Sequence, residues 1–99
     1  GPNTNRQLLP IGERVATAAE VRLIPGHDRP NAANPSDDWT SASDHGPFHA
    51  VKIPFLYFGV EDHADYHRAT DEMRGIQPGF YARTVRTVLS AIRAADAAL

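Results

Sequence analysis

Ninety-nine residues, 41% hydrophobic and with a formal net charge of −2, make one globular domain at most, or part of one. The charge balance is neither basic enough to suggest nucleic acid nor acidic enough to suggest a disordered tail. The absence of cysteine excludes a disulfide framework and a thiolate metal site, so any metal must be held by imidazole and carboxylate.

No apolar run approaches the roughly 18 residues that a membrane helix needs. The opening Gly1-Pro2 has the form of a protease scar, which would leave the natural start of the chain outside this sequence. Residues 3–12 carry turn formers and a Pro-x-Gly interruption around Leu8, Leu9 and Ile11, and read as a loop or a short broken helix. Glu13–Glu20 is alanine-rich and helix-permissive, with Val15, Ala18 and Ala19 able to face a core. Val21–Pro25 reads as a short strand closed by Pro25-Gly26. A long polar loop follows to Thr40, broken by Pro30 and Pro35, and Trp39 is its one large anchor. Loops of this length in a domain are more often functional than idle.

Gly46-Pro47 favours a turn into a short helix through Phe48–Val51. Ile53–Val60 is an uncharged run rich in aromatic and β-branched residues, which predicts a strand buried on both faces. A loop, Glu61–Asp71, returns over its end. Pro78 then sits well in the first turn of a helix. From Phe80 to Leu99 the positions Phe80, Tyr81, Thr84, Val85, Val88, Leu89, Ile92 and Ala95 repeat at helical spacing. Arg83, Arg86, Arg93 and Asp96 fall largely on the other side. That pattern predicts a surface helix laying one apolar stripe on a sheet, and the order of helices and strands suggests α/β layering.

Four of the five histidines lie within Ser43–Asp71, at the two ends of the apolar run. An open α/β sheet usually places its site at the carboxyl end of such a strand. His67 follows Tyr66 there, with Asp71 four residues on. A neutral imidazole is the commonest metal ligand and its second nitrogen wants an orienting carboxylate or carbonyl; the alternative is a loop histidine in solvent. Asp44-His45 can orient a substrate or cap the helix that follows. His27-Asp28 lacks partners nearby in sequence and reads as a surface turn, His63 as a charged loop tip, and His49 as a packing residue in the short helix. No Gly-rich phosphate loop and no nucleophile elbow is present.

Taken together, S-D-H-G-P-F at 43–48, I-P-F-L-Y-F at 53–58 and Y-H-R-A-T-D at 66–71 resemble the carboxyl-terminal part of the M28 family of zinc peptidases. The family includes aminopeptidases, glutamate carboxypeptidases and glutaminyl cyclases, and the similarity runs from about Val21 to the end. The resemblance implies a mixed β-sheet with helices on both faces, a three-layer fold that would be incomplete here. It implies a site of one or two Zn2+ ions, with a metal-activated water hydrolysing the peptide bond of a peptide substrate. His67 matches the last histidine ligand, and Tyr66 a position that stabilises the tetrahedral oxyanion in some members. Ser43, Asp44 and His45 match the loop lining the substrate pocket. Asp71 matches an aspartate that buttresses the loop or caps the next helix.

The family's other ligands and its catalytic glutamate lie upstream of a segment like this one, and no such residues precede Ser43. The expectation is therefore a chain, 1–99, that is the carboxyl-terminal part of one peptidase domain. It would belong to an aminopeptidase-like exopeptidase, be inactive alone, and have the amino-terminal part of that domain as its partner. The competing reading is a non-catalytic homologue or binding module that has lost the metal site. Many bacterial relatives are exported, though no residue here marks export.

Overall fold

Leu8, Ile11 and Val15 recur at spacings of three and four, which puts them on one face of a helix, and all three are buried. The computed structural model describes residues 1–2, 4–29 and 33–98. A 3-10 turn at Arg6–Leu8 leads into α1 (Leu9–Ala18). Pro10 sits in the first turn of α1, where its missing N–H costs no helical hydrogen bond, so the helix passes through the Pro-x-Gly interruption. The short α2 (Gly46–Ala50) and the long α3 (Pro78–Ala98) complete the α-helices, with 3-10 turns at Pro35–Asp37 and Met73–Gly75. Pro30 of the polar loop and the predicted helix end at Leu99 lie outside the described residues.

α1 packs on α3. The face α3 buries is Thr87, Ala91 and Ala94, again at spacings of four and three. These small side chains let the two helices approach closely, and the Thr87 hydroxyl is satisfied within its own helix by the Arg83 carbonyl at 2.9 Å. Leu23, Leu56, Phe58 and Ala95 close over the seam. Beside it, the Arg86 guanidinium forks onto both carboxylate oxygens of Glu20, Nη2 to Oε1 at 3.1 Å. That hydrogen-bonded pairing holds the Glu20 carboxyl below its ordinary range and the Arg86 guanidinium above its own. An exposed pair of this kind steers the packing more than it stabilises it.

The expectation of an α/β fold with a mixed β-sheet is contradicted. The described residues contain no β-strand and no sheet. Val21–Pro25 and Ile53–Val60 are coil, the latter running as an extended segment without a ladder. The physical reason is that a strand is defined by its pairing, and neither run meets another across a ladder of N–H and C=O groups. The period-2 pattern survives without the sheet. Leu56 and Phe58 pack toward the helix seam, while Phe55 and Tyr57 meet the rings of the loop before them.

The orientation of α3 is also corrected. With no sheet beneath it, the stripe Tyr81, Val85, Leu89 and Ile92 is exposed, Ile92 to 60%. The opposite, small-residue face takes the core because α1 is the partner available to it. The radius of gyration, 14.7 Å, accordingly exceeds the roughly 13 Å of a close-packed domain this long. Among the described residues no helix is long and apolar enough to cross a membrane.

The two isoleucines separate these faces. Ile11→Ala empties the buried seam and is expected to cost about 2–4 kcal/mol. Ile92→Ala, on the exposed stripe, is expected to stay within about 0.5 kcal/mol. Urea unfolding of the 99-residue chain, followed by helical circular dichroism, measures both. Equal losses would place the core elsewhere.

Candidate functional site

Rings from the segments before the extended run gather on two rings of the run itself. Trp39 stacks on His27 with ring centroids 3.7 Å apart and planes 7° off parallel. It meets Tyr57 edge-on at 6.4 Å. Tyr57 and Phe55 both tilt against His45, at 4.6 and 4.9 Å, and Phe55 meets His49 of α2 edge-on at 5.9 Å. The six rings form a continuous ladder from residue 27 through residue 57 to residue 49. The Trp39–Tyr57 contact, an edge-on aromatic pair, adds about 0.5–1.5 kcal/mol beyond its buried area.

Backbone geometry sets the ladder's ends. The Trp39 N–H donates to the His27 carbonyl at 2.8 Å and its indole N–H to the Ser36 carbonyl at 3.1 Å. The Asp38 carboxylate accepts from both the hydroxyl and the N–H of Thr40, at 2.7 and 3.0 Å. Those two bonds, the hydroxyl's first, hold its carboxyl below the usual carboxylate range. At the start of α2 a β-carbon on Gly46 would come within 3.3 Å of the Ser41 backbone, so glycine fits the close approach there. At its end Lys52 N–H donates to the His49 carbonyl and Ile53 N–H to the Phe48 carbonyl. This is the Schellman closure of a helix, with Lys52 at φ 62° in the place glycine normally fills.

The substrate-pocket residues expected from the sequence divide here. Ser43 and Asp44 are exposed on the turn into α2, and α2 has no side-chain cap, so Asp44 does not serve as one. His45 turns inward. Its Nε2 bonds the Trp39 carbonyl, which can only accept, so that nitrogen carries the proton. Its Nδ1 is buried without a partner, an acceptor left unmet at a cost in desolvation.

Tyr66 and His67 lie on the turn-rich loop after the extended run. Their rings are in contact, centroids 4.0 Å apart, and both are exposed. His67 has φ 57°, a left-handed backbone that a residue with a β-carbon adopts at a cost. Asp71 faces His63, Nε2 to Oδ1 at 3.8 Å, rather than His67. The loop is held by its own bonds: Tyr66 N–H to the His63 carbonyl, Arg68 N–H to the Asp65 carbonyl, and the Thr70 hydroxyl to the Asp65 carboxylate at 2.6 Å.

A zinc ion takes three or four protein ligands in such sites. Among the described residues no three or more His, Asp or Glu side chains converge as a metal group. His67 stands outside any such group among the described residues.

The sequence reading missed His27. It is half-buried, with Nδ1 2.8 Å from Asp37 Oδ1 and Nε2 3.1 Å from Glu61 Oε1. These partners lie 10 and 34 residues away. No local motif announces them, although Trp39 on the same loop is a visible anchor.

The family model of Peptidase family M28 matches residues 13–92. No curated protein and no solved structure matches the chain.

The left-handed residue at the end of α2 gives a direct check on this local geometry. Lys52→Gly is expected to stabilise the chain by about 1 kcal/mol, because glycine takes φ 62° without a β-carbon clash. A higher urea midpoint with an unchanged slope is the expected reading. A destabilised variant would mean that the turn between α2 and the extended run is not closed this way.

Proposed function

Because the chain belongs to Peptidase family M28, a family of generally zinc-dependent hydrolases, we propose that it supplies part of the site of an aminopeptidase-like exopeptidase. In this reading His67 contributes one zinc ligand and the other ligands come from residues outside this chain, in the amino-terminal part of the same domain. Tyr66 lies beside that ligand and turns its phenol toward the developing oxyanion of the scissile carbonyl, donating a hydrogen bond that strengthens as negative charge accumulates. Ser43 and Asp44 border the pocket that receives the peptide's end, with His45 behind them as its aromatic floor. Asp71 steadies the loop through His63.

The observation that carries this reading is the family match across 13–92, which takes in all three motifs and both loop residues. Two features of the loop support it. Tyr66 and His67 are in ring contact and open to solvent, as a ligand and an oxyanion donor must be before they meet metal and substrate. His67 also keeps a left-handed backbone, a strain that clusters at functional sites.

The test uses the peptidase domain that contains this segment, assayed on an amino-acid amide. His67→Ala is expected to remove most activity and lower the bound zinc. Tyr66→Phe is expected to reduce kcat about 100- to 1,000-fold with zinc content unchanged, the range seen on removing one oxyanion donor. Full activity with zinc retained in His67→Ala would overturn the assignment and favour the binding-module reading. Metal loss in Tyr66→Phe would overturn the oxyanion role.

A further inference from the structure

We propose that His27 is a positioning residue for the Tyr66–His67 loop, acting through Glu61. This inference rests on the functional reading above for the importance of that loop, and on geometry for the link to it. Glu61 is the first residue beyond the extended run and lies five and six residues before Tyr66 and His67. The loop's other hydrogen bonds and ion pairs run between its own residues and the adjacent Glu72. His27 is different, because it reaches Glu61 from the other side of the ladder.

Each ring edge of His27 faces an acceptor. Nδ1 is 3.0 Å from the Asp37 carbonyl and 2.8 Å from its Oδ1, and Nε2 is 3.1 Å from Glu61 Oε1. One ring face is covered by Trp39, parallel at 3.7 Å. Trp39 is in turn fastened to His27's own carbonyl. The imidazole is therefore fixed in plane and in rotation before it meets Glu61. Donating at both edges at once takes an N–H on each ring nitrogen, which the imidazolium form supplies. An exposed carboxylate gains more from a donor already immobilised than from a mobile one. His27 also holds φ 57° directly after Gly26, a backbone that its side-chain contacts help to retain. His27, held by Trp39 and Asp37, thus acts as a strut. It carries the rigidity of the ring ladder to the start of the loop that bears Tyr66 and His67.

The strut makes separate predictions for structure and for catalysis. In the 99-residue chain, His27→Gln and Glu61→Gln are each expected to shift the amide resonances of residues 61–67 in a two-dimensional NMR spectrum. The amides of Thr87, Ala91 and Ala94 in the helix seam should stay in place, which shows that the variants remain folded. In the peptidase domain, either substitution is expected to lower kcat about 3- to 30-fold with KM nearly unchanged. The double variant should lose no more than the worse single one, since both act through one contact.

Unmoved loop amides would overturn the strut even if His67→Ala abolished activity. Multiplying rate losses in the double variant would overturn it as well, by showing that the two residues act separately. Shifted amides alongside an intact rate in His67→Ala would leave the strut standing and sink the peptidase assignment of the loop.

Discussion

The extended run Ile53–Val60 has no ladder to hold it, and the rest of the structure depends on what replaces one. Backbone groups in a segment like this are left to water, so its position must come from side chains. It has them on both sides. Leu56 and Phe58 reach the α1–α3 seam, and Phe55 and Tyr57 enter the ring ladder with His45, His49, Trp39 and His27. The run is thereby the hinge between a small helical core and a polar, histidine-rich surface. That core is thin, with Leu8, Ile11, Val15, Ala91 and Ala94 as its buried apolar residues.

The helices were largely legible because their evidence is local. Pro78 in a first turn, followed by apolar residues at helical spacing, specifies α3 to within two residues of where it begins. The short helix after Gly46-Pro47 follows from the same kind of signal. What could not be read is which face of α3 is covered. Its apolar stripe is wide enough for a sheet, but burial goes to Thr87, Ala91 and Ala94 because the partner present is another helix. Strands failed for a related reason: β-branched and aromatic content reports fitness for a pleated surface, and the surface itself has to be supplied by other strands.

At the site, sequence motifs and geometry each reveal a different part. The Y-H pair at 66–67 is visible as a motif, and the structure adds its exposed ring contact and the left-handed backbone of His67. Ser43-Asp44-His45 is one motif in sequence but two environments in space, with the histidine folded inward behind the exposed pair. His27 is the reverse case. Its meaning comes from Asp37 and Glu61, contacts of long sequence separation that no spacing rule encodes.

Family membership makes the chain peptidase material, while no metal-holding group of three or more side chains forms among its described residues. On the function proposed above, His67 is one member of a ligand set completed elsewhere. Zinc content tests this most directly, measured per chain by elemental analysis after the purified 99-residue protein is dialysed against trace zinc. Well below one zinc per chain is the expected result. One zinc or more per chain, held through dialysis, would contradict it, by showing that these residues, or two copies of them, complete the site without the rest of a peptidase domain.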